Sequence, residues 1–158
     1  MSRYGDGQIR EQVLSDAQVT RGYDVLGRVS RITARQGWNG AGPLLQSSAF
    51  TWDEAGNLVS RAEGSLGQSW AECFEYDLLD RLLRVRKSSA PPCATAPVTK
   101  SHAYNDQGNL ESKSDIGTLA YGDSSRPLNA GPHAVRTAGE YNWEYDANGN
   151  AVCARGGT

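Results

Sequence analysis

The chain has 158 residues, with 16 Lys and Arg against 18 Asp and Glu, which gives a formal net charge of −2. This length predicts one domain, and the balanced charge argues against nucleic acid or an anionic membrane surface as a partner, because both favour a basic face. No apolar run approaches the roughly 18 to 20 residues of a membrane span, and no signal-peptide pattern follows Met1.

Aliphatic residues are scarce and aromatic residues replace them. Leu, Ile, Val and Phe total 27 residues, whereas 13 residues are aromatic, 18 are Gly and 6 are Pro. This composition is typical of short strands joined by many turns. The three cysteines, Cys73, Cys93 and Cys153, have no zinc-ligand spacing, so we interpret them as incidental and leave their redox state open.

A seven-residue pattern repeats along the chain: an aromatic residue, Asp or Asn, two variable residues, Gly, Arg or Asn, and an apolar residue. Copies fall at 23–29, 52–58, 76–82, 104–110 and 145–151, and residues 121–123 (Tyr-Gly-Asp) form a candidate degenerate copy. The chain therefore divides into an N-terminal segment, 1–14, that the repeat does not explain, and a repeat region, 15–158.

Each copy predicts a hairpin turn. An Asp or Asn side chain after the aromatic residue accepts backbone N–H groups, and Gly three positions later adopts the left-handed conformation that other residues resist. Such a turn connects antiparallel strands, usually with a bulge. The predicted turn residues are Asp24, Gly27, Asp53, Gly56, Asp77, Asp80, Asn105, Gly108, Asp146 and Gly149, with Asp80 replacing Gly in its copy.

The residues around the turns predict strands. Aromatic residues recur at period two before the turns, as in Phe50 and Trp52, and short runs with alternating Arg follow them. Only residues 8–17 have the pattern of a short turn or helix. We therefore predict an all-β fold of repeated antiparallel β-hairpins that form a curved ribbon.

The Tyr-Asp copies at 23, 76 and 145, with the variants at 52 and 104, resemble the Rhs/YD-repeat family of bacterial Rhs proteins, insecticidal toxin complex C components and teneurins. Residues 126–135, which include Pro-His-Ala-Val, resemble the segment before a late repeat of that family. The resemblance implies a segment of a spiral shell that encloses a toxin or forms a surface scaffold. It also implies a secreted or cell-surface location and neighbouring YD repeats, a toxin domain or carbohydrate as partners. Nothing here matches the family's self-cleavage segment.

Two alternatives concern the positions that repeat within the chain. The turn aspartates could serve as acids, bases or calcium ligands, but capping of the turns explains them better, and residues 146–150 lack the later Glu of a calcium loop. The aromatic stripe could stack on sugars, but a cross-strand ladder is favoured because 11 of 13 aromatics lie in repeat strands. Tyr4 and Trp38 lie outside the strands and are the candidate ligand contacts. We interpret His102 as a ladder residue and His133 as structural.

The functional prediction is a non-catalytic structural segment with no catalytic residue, cofactor or metal site. The alternative is a carbohydrate- or protein-binding module that uses the aromatic-rich sheet.

Far-UV circular dichroism of the purified chain tests the fold class. We expect a β-type spectrum with little helix, because turn motifs flanked by period-two strands account for most of the sequence. A helix content above roughly a quarter, close to that of an ordinary mixed domain, would contradict the prediction.

Overall fold

A computed structural model describes residues 1–122 and 131–156, with residues 153–155 described as backbone. The chain divides into two compact units, Met1–Thr99 and Lys100–Thr158. Every regular element of the described residues is a β-strand, so the all-β prediction is confirmed. None of the described segments forms a helix long and apolar enough to span a membrane. Asp123 of the candidate degenerate copy and residues 126–130 lie outside the described residues.

The first unit is a ribbon of antiparallel hairpins in which each strand pairs with the next one in sequence. Its strands are β1 (Ser2–Arg3), β2 (Ile9–Leu14), β3 (Ala17–Tyr23), β4 (Val29–Gln36), β5 (Leu44–Trp52), β6 (Leu58–Ser65), β7 (Gln68–Tyr76) and β8 (Leu82–Ser88).

The second unit has the same arrangement of consecutive antiparallel strands. Its strands are β9 (Val98–Tyr104), which begins at the end of the first unit, β10 (Leu110–Lys113), β11 (Gly117–Tyr121), β12 (Val135–Ala138), β13 (Tyr141–Tyr145) and β14 (Ala151–Gly156). The predicted ribbon of hairpins is therefore present in both units.

One bulge recurs beside the repeat turns. Tyr23 pairs with Val29, but the preceding residue, Gly22, pairs with Arg31, so the return strand carries an extra residue. The same shift occurs beside Trp52, Tyr76, Tyr104 and Tyr145. A bulge after a turn with a left-handed residue is the connection that the sequence predicted.

The N-terminal segment continues the hairpin pattern, and of the short turn or helix expected over 8–17 the structure contains a turn and no helix. These residues form β2, a tight turn and the start of β3. Before them, the N–H of Tyr4 donates to the carbonyl of Gln8 at 2.9 Å, and Gly7 donates to Tyr4 at 3.0 Å. The repeat turns contain the same pair of bonds, so 4–8 is a further turn in which Tyr4 occupies the aspartate position. The sequence pattern missed it because that position lacks Asp or Asn.

Few side chains are fully buried, because a single-layer sheet covers little of its own surface. The buried apolar residues of the described chain are Ala71, Val85, Cys93 and Ala138, and Ser48 is the buried polar residue. Cross-strand pairs supply much of the packing instead, as in the 2.9 Å ion pair between Arg61 and Glu72. Stability in this fold therefore depends on contacts between neighbouring strands more than on a central core.

A disulfide joins Cys73 in β7 to Cys93 in the loop after β8, with a Cα–Cα distance of 5.6 Å. The interpretation of these two cysteines as incidental is therefore wrong. Spacing rules did not reveal the pair, because a 20-residue separation becomes a contact only when the loop returns to β7. The Cys153 side chain lies outside the described residues.

Gly56 offers a direct test of the turn geometry. Its φ is +96°, and a Cβ built there meets nothing within 4 Å, so any cost of substitution comes from the backbone conformation alone. We expect Gly56→Val to lower the free energy of unfolding by about 1 to 2 kcal/mol, and Gly56→Asn to cost less, because Asn tolerates this region. Thermal or denaturant unfolding measures both.

Gly5→Val is the matched control, since Gly5 also has open space around a built Cβ but no positive φ. If both Gly56 variants retain the parent's stability, the left-handed turn assignment fails.

Candidate functional site: the turn edge

The repeat turns of each unit lie at the same end of successive hairpins, and we call this end the turn edge. It comprises residues 4–8, 24–28, 53–57 and 77–81 in the first unit, and 105–109, 131–134 and 146–150 in the second. Alternate connections of an antiparallel ribbon occupy opposite ends of the strands, which brings the repeat turns to one side.

The predicted turn residue Asp24 organises its turn through backbone donors. One oxygen, Oδ1, accepts the N–H groups of Leu26 at 3.0 Å and Arg28 at 2.9 Å. Asp77, Asn105 and Asp146 accept the N–H groups two and four residues later, and Asp53 accepts that of Asn57. The left-handed position that closes each turn is held by Gly27, Gly56, Asp80, Gly108 and Gly149, with φ from +60° to +96°.

The last residue of each aspartate turn pairs with the second carboxylate oxygen. Arg28 Nε lies 2.7 Å from Asp24 Oδ2, and Arg81 Nε lies at the same distance from Asp77 Oδ2. Asn57 donates to Asp53 in the equivalent way at 3.1 Å. This pairing explains why the repeat carries Arg or Asn directly after the left-handed residue.

The same last position also reaches the next turn along the edge. Arg28 Nη1 donates to the carbonyl of Asp53 at 2.7 Å, and Asn57 Nδ2 donates to Asp80 Oδ1 at 2.7 Å. Gln8 bonds to the carbonyl of Gly27 in the first unit, and Asn109 bonds to that of Pro132 in the second. The side chains of Arg28 and Asn57 therefore each close their own turn and connect it to a neighbour.

The motif aromatic makes a second connection between hairpins, which we call the aromatic staple. Its hydroxyl or indole N–H donates a hydrogen bond to the carbonyl of the first strand residue after the preceding turn. Tyr76 Oη donates to Leu58 at 2.9 Å, and Trp52 Nε1 donates to Val29 at 2.8 Å. The other staples are Tyr23 to Ile9, Tyr121 to Leu110 and Tyr145 to Val135. Tyr121 of the candidate degenerate copy therefore retains this role.

The turn bonds hold the aspartates in their charged form. Burial raises the pKa of Asp24, but the backbone and side-chain hydrogen bonds of Arg28 outweigh it and hold the pKa below 3.8. The pKa of Asp77 is lowered mainly by the backbone bond of Arg81, and that of Asp146 mainly by the side-chain bond of Asn150. For Asp53, burial is again outweighed, here by Asn57.

These contacts indicate a structural role for the carboxylates of the turn aspartates. Both oxygens of Asp24 are occupied by donors of its own turn. Within residues 1–122 and 131–156, no three His, Cys, Asp or Glu side chains are grouped as metal ligands would be. The geometry is that of a hydrogen-bonded brace, and it fits the capping role that the sequence favoured over acid–base or calcium chemistry.

The predicted ladder of cross-strand aromatics needs correction, because the middle hairpins pair their rings with cations. Arg61 and Lys87 each lie 4.9 Å from the centre of the Trp70 ring, one on each neighbouring strand. Arg28 lies 5.8 Å from the Trp52 ring. The sequence signal was the Arg that follow the repeat turns, of which Arg28 and Arg61 lie over aromatic rings.

The candidate ligand contacts Tyr4 and Trp38 are not brought together. Tyr4 belongs to the turn edge, where its hydroxyl donates to the carbonyl of Arg21 at 3.1 Å and its ring packs edge-on against Tyr23 with the ring centres 5.8 Å apart. It lines an open hollow of about 380 Å³ with Asp6 and Asp24. Trp38 lies in the loop between β4 and β5, at the opposite end of the strands, and is 73% exposed.

The second unit contains a cleft that the sequence did not reveal. Its volume is about 680 Å³, and its lining residues are Asp115, Ile116, Ala138, Glu140, Tyr141 and Trp143. The rings of Tyr141 and Trp143 lie 6.1 Å apart, and Tyr141 is 54% exposed. The period-two pattern predicted both as ladder residues, because it does not tell which face of a strand is covered.

The two histidines occupy different environments. His133 Nδ1 lies 2.6 Å from Asn109 Oδ1, so His133 belongs to the turn edge of the second unit. His102 lies in β9, and its Nδ1 is buried without a hydrogen-bond partner among the described residues.

Removal of one aromatic staple should weaken the ribbon. We expect Tyr76→Phe to lower the free energy of unfolding by about 0.5 to 1.5 kcal/mol, because the Leu58 carbonyl loses its hydroxyl donor while the ring stays in place. Denaturant unfolding measures the difference. Tyr141→Phe is the matched control, since that hydroxyl forms no hydrogen bond with the described residues; equal losses in both variants would contradict the staple.

The turn aspartates should make stability depend on acid pH. Because the folded pKa of Asp24 lies below 3.8, its contribution is complete above that pH and is lost as the pH falls through the folded value. Asp24→Asn removes the titrating group but keeps an acceptor like that of Asn105. Denaturant unfolding between about pH 5 and 2 should show a shallower loss of stability in the variant. An unchanged slope would show that Asp24 carries no such linkage.

No protein-family model matches the chain, and no curated protein matches it. Among solved structures, a chain of the Photorhabdus luminescens Tc holotoxin pore, solved with a mutation in TccC3, is similar to 97% of this chain. The TM-score is 0.58 and the sequence identity is 15%. The present chain spans about 9% of the length of that chain. The likeness shows a shared fold: the same arrangement of hairpins occurs inside a much larger toxin assembly.

Proposed function

We propose that the chain is a segment of the wall of a larger Rhs/YD-type shell, with a structural, non-catalytic role in enclosing a toxin or building a surface scaffold. The observation that carries this proposal is the repeated connection from hairpin to hairpin. Successive hairpins are connected through the motif aromatic and, in most cases, also through the last residue of the turn. The shared fold with part of the Tc holotoxin pore supports it.

This connection scheme can be extended without limit. The hairpin that carries Tyr76 bonds to the one before it through the aromatic staple, and the hairpin that carries Asn57 bonds to the one after it through the last turn residue. A unit that contacts only its neighbours can be repeated to any length. Repeated addition of hairpins through these contacts would build a continuous wall.

Exposed apolar residues on the turn edge also favour a larger assembly. Val25 and Leu78 occupy the first variable position of their turns and are fully exposed, at 101% and 103%. Leu26 and Leu79 beside them are 67% and 70% exposed. Turns of this kind need no aliphatic residue there, and exposed aliphatic groups are expected to be covered in an assembly.

The complete gene product provides the test. We expect the sequence on either side of this segment to contain further copies of the repeat, and electron microscopy of the purified product to show a hollow particle. A product without further copies that sediments as a compact monomer would contradict the shell.

A second candidate function, carbohydrate binding, is favoured by the cleft of the second unit. Neighbouring Tyr141 and Trp143 rings offer a stacking surface, and Asp115 and Glu140 offer hydrogen-bond acceptors at its border. Aromatic rings beside a few polar groups are the usual composition of a small-ligand site. This module would use the sheet of the second unit, whereas Tyr4 and Trp38 would have no part in it.

Tryptophan fluorescence during titration with a panel of oligosaccharides tests this candidate. We expect a saturable change that Trp143→Ala abolishes and Trp38→Ala preserves. A response that depends on Trp38 instead, or no response to any sugar of the panel, would exclude the cleft as a carbohydrate site for those ligands.

A further inference from the structure

The loop between β8 and β9, residues 89–97, is fixed to the sheet by a covalent bond at its centre. Cys93 is fully buried and forms the disulfide with Cys73. Ala96 is half-buried, and the other residues of the loop are exposed. The side chain that packs this loop against the protein is therefore the one that carries the disulfide.

Weaker contacts hold the ends of the loop, among them a hydrogen bond from the Lys87 N–H to the carbonyl of Pro97 at 3.4 Å. Ser69 Oγ donates to the carbonyl of Ser89 at 2.8 Å. At the other end, Arg86 Nη1 donates to the carbonyl of Ala96 at 2.8 Å, while its Nε donates to Glu75. These are exposed or partly buried hydrogen bonds, which contribute little net stability compared with a covalent bond.

The three anchor points lie on one face of the sheet. Side chains of a strand alternate between faces, so Ser69, Ala71, Cys73 and Glu75 of β7 share the face opposite Trp70. Ala71 lies between the anchored residues Ser69 and Cys73, and it is only 1% exposed. The loop is thus a strap that is anchored on both sides of Ala71, at Ser69 and at Cys73.

We propose that the strap is a redox-dependent latch: it is closed when Cys73 and Cys93 are joined, and it releases the face around Ala71 when they are reduced. The latch is independent of the shell proposal, since it rests on contacts within one unit. It also assigns the closed form to an oxidising compartment, because protein disulfides persist there and are reduced in the cytosol.

The chemistry of closing is thiol–disulfide exchange. The Cys73 or Cys93 thiolate attacks the disulfide of a disulfide-bearing oxidant and forms a mixed disulfide; the second thiolate then displaces it and closes the bond. Two electrons and two protons leave the cysteines, and the oxidant is released as a dithiol. A dithiol reductant reverses both steps.

Hydrogen–deuterium exchange on the full chain tests the latch. The oxidised protein is compared with the protein in dithiothreitol and with Cys73→Ser, while Cys153→Ser is the control that keeps both latch cysteines. Reduction and Cys73→Ser should each speed the exchange of the Ala96 amide, which donates to the carbonyl of Cys93 at 3.0 Å, by about tenfold or more, with the β3–β4 hairpin unchanged. Thiol titration establishes the redox state of each sample.

Three results would overturn the proposal. The first is a strap that keeps its protection after reduction, which would show that hydrogen bonds alone hold it. The second is a uniform loss of protection across the first unit, which would make the disulfide a global stabiliser. The third is an oxidised sample in which all three cysteines react as free thiols.

Discussion

The structure depends on the hydrogen bond between a motif aromatic and the backbone carbonyl beside the preceding turn. A hairpin in a single-layer sheet can slide or twist against its neighbour unless something fixes the register, because little is buried between them. The hydroxyl of Tyr76 reaches the carbonyl of Leu58 and fixes both the register and the distance between successive turns. Phenylalanine would supply the same apolar area without this bond, which is a physical reason for tyrosine in the repeat.

The turn aspartate complements the aromatic staple, and its desolvation costs less free energy than that of a buried ion pair. Its carboxylate stays near solvent, satisfies the N–H groups of the turn, and positions the Arg or Asn that reaches the next turn. Asn105 shows that charge is not essential for the backbone bonds, since it accepts the same donors. The negative charge adds the pairing with arginine, as Asp24 and Asp77 do with Arg28 and Arg81.

A ribbon of this kind gains stability from connections between neighbours, and the disulfide strap is an addition to that plan. It is anchored on both sides of Ala71, one of the few fully buried residues of the first unit. The proposed wall and the proposed latch therefore concern different features: the wall uses the turn edge, whereas the latch closes over one face of the sheet.

The sequence by itself determined the hairpins, since Asp or Asn followed by Gly specifies a turn through local backbone chemistry and alternating aromatics specify strands. It therefore predicted the bulged turns at Asp24 and Asp146 and the all-β class. It did not predict the turn at Tyr4, whose hydrogen bonds need no aspartate, or the cations stacked on Trp70, which come from two neighbouring strands. Only the tertiary structure brought Cys93 onto Cys73 and Tyr141 into a cleft, because contacts across loops and faces depend on where the chain returns rather than on local residue preference.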